Sequence, residues 1–291
     1  MKVNVSGLPV RIERRSIEAR GRKIPLLLLL PKVRREKTPA VLWIHGGGYM
    51  TGMKEMTLLS RGMDLARRYG AVVVSPGYRL SFRAPYPAAI EDCYEALLYL
   101  KHNAAALGAD PDRIMVGGES AGGGLTASLC MLARDRGEVK IAFQMPLYPM
   151  IDNFDTETSK NNHGKVWDTR RNHRGWRMYL RENAEKEVSP YAAAARQTDY
   201  RGLPPAYTFV GTAEPFYAET LVFIHRLRSA GVEADLDIYK GMYHAFDLLH
   251  PRLPESREAK ERFFRHFEYA LEHYFAPQED ANEDQGPEIH L

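Results

Sequence analysis

From Ile114 to Leu132 the chain reads I-M-V-G-G-E-S-A-G-G-G-L-T-A-S-L-C-M-L, and few folds can hold such a stretch. Ile114 to Val116 is a short apolar run after the Asp110-Pro111-Asp112 turn, the pattern of a buried strand. After Ser120, Leu125, Leu129 and Leu132 recur at helical spacing. The junction, Gly118-Glu119-Ser120-Ala121-Gly122, is a G-x-S-x-G: a serine on a sharp strand-to-helix turn, with glycines that let neighbouring backbone come close. Gly122, Gly123 and Gly124 open the helix although each costs about 1 kcal/mol there relative to alanine. A nucleophile at a helix N-terminus explains them, because the Ala121 N–H and the positive end of the helix dipole then face a developing oxyanion.

Gly122 to Ala127 also fits the dinucleotide pattern G-x-G-x-x-A. That pattern belongs to the first strand of a βαβ unit, with an acidic residue about twenty positions on. Here Asp135 lies in a polar turn, and no phosphate-binding G-x-x-x-x-G-K-[ST] occurs.

The rest of the chain alternates strand and helix. Val10 to Ala19 and Lys23 to Pro31 read as an opening antiparallel pair. Strands follow at Val41 to Ile44, Ala71 to Ser75, Phe143 to Leu147, Tyr207 to Val210 and Leu236 to Tyr239. Helices are expected before Gly70, over Ile90 to Leu100, over Phe216 to Ala230, and at the end, where Phe263, Phe264, Phe267, Ala270, Leu271, Tyr274 and Phe275 share a face. Such alternation predicts an α/β chain with a mostly parallel sheet covered on both faces. With 291 residues, 44% hydrophobic, one domain over residues 1–276 is expected. Ile151 to Tyr200 lacks clear strands and reads as a lid insertion above the sheet, with Arg170 to Arg177 on the solvated face of its helix. The acidic segment 277–291 is expected to be disordered.

A net charge of +3 among 26% charged residues gives no dedicated nucleic-acid or membrane surface. Cys93 and Cys130 fall in apolar helical runs and read as buried free thiols, too few for a disulfide framework or a zinc site. Met1 to Gly7 lacks the apolar core of a signal peptide, so a cytoplasmic location is expected.

Ser120 needs a base to take its proton and an acid to orient that base. On sheets carrying such an elbow the chain order is serine, acid, histidine. His244, in the loop after Leu236 to Tyr239, is the candidate base. His225, His266 and His273 fall within helices, and His163, His173 and His290 in polar segments. The candidate acid is Glu214, after the Tyr207 to Val210 strand, with Glu219 and Asp247 as alternatives. His45-Gly46-Gly47-Gly48 supplies a glycine turn in which Gly47 and Gly48 join Ala121 as oxyanion donors, each worth roughly 3 kcal/mol in the transition state. His45 precedes the serine and is expected to hold that turn rather than act as base.

Together these motifs, with Tyr78-Arg79-Leu80, Tyr86-Pro87-Ala88-Ala89 and Glu91-Asp92, resemble the hormone-sensitive-lipase-like family of α/β-hydrolase serine esterases. The likeness runs from about Pro39 to the last helix. It implies the α/β-hydrolase fold, hydrolysis of small-molecule carboxylic esters, commonly of short acyl chains from acetyl to butyryl, without metal or organic cofactor, and pairing of two copies through the last strand. An amidase or peptidase, or a ligand receptor on a non-catalytic hydrolase scaffold, is the alternative. The chain departs from the family in two places. Glu214-Pro215-Phe216 stands where Asp-Pro-Leu is usual, and the helical N-terminal cap is missing, which leaves the insertion as the main cover. A neutral histidine base implies that activity falls as the imidazole takes up its proton on acidification.

Overall fold

The computed structural model describes residues 9–32, 38–182 and 187–278. The tail for which disorder is expected lies almost wholly outside the described residues, as do Met1 to Gly7.

Among the described residues eight strands form one sheet: β1 (Val10–Ala19), β2 (Arg22–Pro31), β3 (Ala40–Ile44), β4 (Val72–Pro76), β5 (Ile114–Glu119), β6 (Phe143–Leu147), β7 (Ala206–Gly211) and β8 (Ala234–Tyr239). Their order is β1-β2-β4-β3-β5-β6-β7-β8. β2 pairs antiparallel with both β1 and β4, and the pairs from β4 onward are parallel. Helices join them: α1 (Arg61–Tyr69), α2 (Ala88–Leu107), α3 (Ala121–Arg136), α4 (Thr169–Leu180), α5 (Tyr217–Ser229), α6 (Phe246–Leu249) and α7 (Pro254–His273).

The inner strands β3 to β7 are buried along their whole length because both faces are covered, and the two-residue period sorts their side chains. Leu26, Leu28, Leu42, Ile44, Val74 and Val116 point to the side of α2, α3 and α5. Leu27, Leu29, Val41, Trp43, Val73 and Met115 point to the side of α1 and α7. Gly70 ends α1 in the left-handed conformation at φ 68°, the C-terminal signal its sequence carries.

Helix ends differ from the sequence reading where propensity is silent. α2 runs on to Leu107 because Ala104 is buried beyond the expected end. α7 stops at His273, so Tyr274 is its cap and Phe275 is half-exposed rather than part of the buried face. The Ile151 to Tyr200 stretch contains no strand among the described residues. Its helix α4 buries Trp176, Tyr179 and Leu180 and leaves Arg170, Arg171, Arg174 and Arg177 exposed. No helix among the described residues is long and apolar enough to cross a membrane.

Candidate active site

Parallel register brings the C-terminal ends of the central strands to one edge. Ile44 at the end of β3 faces Gly118 near the end of β5, and Glu119 faces Leu147 of β6, so the turns that follow are neighbours. At the elbow Ser120 adopts φ 58°, ψ −121°, a strained backbone for a residue with a Cβ. Its amide donates to Leu147 O at 3.0 Å, and its carbonyl accepts from Met150 N–H at 3.0 Å. The glycines that open α3 answer to close approach. A Cβ on Gly122 would stand 2.1 Å from Ile44 O, and one on Gly124 2.0 Å from Met150 O.

The loops after β7 and β8 bring two more side chains to this edge. The Ser120 hydroxyl donates to His244 Nε2 at 2.9 Å, and His244 Nδ1–H donates to Glu214 Oε2 at 2.6 Å. Glu214 Oε1 accepts from Gly211 N–H at 3.0 Å, which fixes the carboxylate. All three side chains are buried. Edge-on contacts from Tyr148 and Phe216, with ring centroids 5.2 and 5.0 Å away, hold the imidazole plane.

The alternative acids are engaged elsewhere. Glu219 Oε1 accepts from the amides of Ile151 and Asp152 at 2.7 and 3.2 Å and so ties down the start of the insertion. Burial pushes its carboxyl well above the usual range. Asp247 Oδ2 accepts from Arg61 at 2.8 Å.

The glycine turn packs against Ser120: a Cβ on Gly46 would lie 3.2 Å from Ser120 Cβ. Gly47 and Gly48 have φ 121° and 60° and line the same cavity as Ser120, while Ala121 begins α3 in the buried core. His45 braces this turn. Its Nδ1 bonds Gly46 O at 2.8 Å, its ring stacks on Tyr78 at 4.2 Å, and Tyr78 OH donates to His45 O at 3.0 Å. Burial lowers the His45 pKa to about 4, so the ring stays neutral. Arg79, beside Tyr78, grips Asp92 of α2 with bonds of 2.8 and 2.9 Å. The cavity holds about 370 Å³, and Met56, Leu59, Val166, Leu248 and Leu249 make its wall mostly apolar.

A profile of the alpha/beta hydrolase fold matches residues 41–248. The chain belongs to the alpha/beta hydrolase family. This hydrolase is 34% identical over 261 residues to the carboxylesterase NlhH of Mycobacterium tuberculosis, covering 87% of its own length and 81% of the relative's. An arylesterase of Saccharolobus solfataricus is 30% identical over 229 residues, with 77% and 73% covered. Among solved structures, a bacterial heroin esterase superposes with a TM-score of 0.87 at 32% identity, over 92% of the hydrolase and 87% of that chain.

Three features of the hydrolase site escape a reading by motif. Trp167, from the insertion, lies across Gly48, where a Cβ would meet its ring at 2.1 Å, and 6.4 Å from the His244 ring. Tyr148 takes φ 34° against the imidazole. Glu119, the variable position of the elbow motif, accepts from Trp43 Nε1 at 3.0 Å to both of its oxygens. Burial, reinforced by the charge of Asp247, pushes its carboxyl up to about 8. Arg61 is a local signal for such a cluster, because a cation at the first position of a helix opposes the dipole.

Proposed function

We propose that the chain is a serine carboxylesterase that hydrolyses small esters of short acyl chains, acetyl to butyryl, through an acyl-enzyme. Ser120 Oγ attacks the ester carbonyl while His244 Nε2 takes its proton, and Glu214 stabilises the imidazolium through Nδ1–H. The N–H groups of Gly47, Gly48 and Ala121 receive the oxyanion. The imidazolium then protonates the departing alcohol. A water, deprotonated by His244, attacks the acyl-enzyme and releases the acid, restoring Ser120. The observation that carries the reading is the unbroken relay of 2.9 and 2.6 Å from hydroxyl to imidazole to carboxylate, opening into a cavity. That cavity, shared between the acyl and alcohol halves, supports short chains, and relatives named as esterases support ester over amide.

In the same reading, the segment from Ile151 to Tyr200 is a lid on a single domain, supported by the reach of Trp167 over Gly48. Two copies pair along β8, which stands at the end of the sheet with Ile238 half-exposed. A cytoplasmic location is supported by the two free, buried cysteines.

A fluorophosphonate should label Ser120 stoichiometrically, and an acyl series of p-nitrophenyl esters should peak between acetate and butyrate. Ser120→Ala should cost about a million-fold in kcat and Glu214→Gln about ten-thousand-fold. Failure to label, or a preference for long chains or for matched amides, overturns the assignment.

A further inference from the structure

The turns that carry both the nucleophile and the base are fastened to the N-terminus of α1, whose cap Ser60 lines the same cavity as Ser120 and His244. Arg61 is buried, and its guanidinium bonds Asp247 Oδ2 at 2.8 Å and Asp64 Oδ2 at 3.2 Å. Asp247 sits three positions after His244, just past Ala245, whose φ of 58° makes the His244 turn a tight one. On the other flank Ser60, which caps α1 by accepting from Gly62 N–H at 3.4 Å, stands beside the carboxyl of Glu119, the residue before Ser120. Trp43 of β3 holds the same carboxyl.

Local energetics do not favour this arrangement. A cation at the first position of a helix opposes the dipole, and burying charges gains little stability over an apolar packing of the same volume. Arg61 Nε is buried without a hydrogen-bond partner, so the cluster is not even fully satisfied. A network kept against those costs, and attached to the two turns whose separation the chemistry needs, has a positional use.

We propose that Ser60 and Arg61 form a positioning clamp which, through Glu119 and Asp247, sets the distance between the Ser120 hydroxyl and the His244 imidazole. The inference rests on the esterase reading of that pair. Two carboxyls share one guanidinium, and the groups facing Glu119 are Trp43 of β3, Ser60 and Arg61 of the α1 end, Tyr148 after β6 and Asp247 of α6, with Asp64 and Lys260 paired behind them at 2.7 Å. The clamp is closed while Glu119 is protonated. When that proton leaves, a second buried carboxylate competes with Asp247 for Arg61 and the clamp loosens.

The experiment measures kcat and KM on p-nitrophenyl butyrate from pH 6 to 10, per site counted by fluorophosphonate titration, so that unfolded protein is not scored. For Arg61→Lys, kcat per titrated site should fall at least tenfold with KM within twofold, because a lysine cannot hold both Asp247 and Asp64 in the same plane. The wild-type kcat should decline above about pH 8, and Glu119→Gln should remove that decline. Equal kcat per site in Arg61→Lys, or superimposable pH profiles for wild type and Glu119→Gln, overturns the clamp. Absence of labelling in the wild type would instead overturn the esterase reading itself.

Discussion

The two sides of the β5 elbow are built from different materials. On the α3 side, Gly122 and Gly124 let a helix press against the carbonyls of Ile44 and Met150, and the surroundings are apolar, from Leu125 to Leu97. On the α1 side, Glu119, Arg61 and Asp247 place three ionisable groups in the same sheet's other core, next to Trp43 and Phe263. The first side fixes the backbone of Ser120 by steric fit, which is insensitive to pH. The second fixes the side chains' surroundings by charge, which can be titrated. Strain gathers where the two meet: Tyr49, Ser120, Tyr148 and Ala245 all have positive φ without being glycine.

If this contrast holds, the largest effect should come from the charged side and depend on pH. The folded Glu119 carboxyl keeps its proton up to about pH 8, whereas an unfolded glutamate releases it near 4.5. Between those values the native state binds more protons, so stability falls as pH rises and the loss is complete above about 8. Urea denaturation should show wild type losing on the order of 4 to 5 kcal/mol relative to Glu119→Gln between pH 4 and pH 9. Equal slopes would sink the assignment of that carboxyl.

Removing the cation should come next. Arg61→Ala leaves Asp247 buried without its partner and should cost about 3 to 5 kcal/mol of unfolding free energy, read from the same titrations at pH 7. On the apolar side, Gly122→Ala forces a methyl to within 2.1 Å of Ile44 O and should cost about 3 kcal/mol at every pH. A pH-dependent penalty there would erase the distinction between the two sides. Gly137→Ala, at φ 69° with nothing near its Cβ, calibrates the scale: backbone strain alone should cost about 1 kcal/mol. Smallest of all, Phe275→Ser should cost about 0.5 kcal/mol, since that ring is half-exposed beyond the end of α7 and gives up only its stacking under Arg113 at 4.2 Å.

Much of this was legible in order along the chain. The strand, the elbow and the glycine-led helix are encoded by contiguous residues whose backbone preferences act over one turn, and so is the Gly70 stop of α1. His45 was also readable as a brace, because its place before the serine sets it apart, and its stacking on Tyr78 bears that out. The end of α7 was not, since nothing in the apolar spacing from Phe263 to Phe275 says which aromatic is the last to join the buried face.

The amino-acid sequence by itself determined the elbow, the chain order of serine, carboxylate and imidazole, and the alternation that puts their loops on one edge of a parallel sheet. Which carboxylate meets His244 was decided only in three dimensions. Glu214, Glu219 and Asp247 all follow strands near the right place, and all are buried. Their partners lie 30, 67 or 68, and 186 positions away along the chain. Local pattern fixes where a backbone turns, whereas the meeting of two side chains so far apart depends on strand register and on which neighbours have already claimed their oxygens. The charge cluster at the head of α1 belongs to that second kind, and so does the reach of Trp167 over the glycine turn.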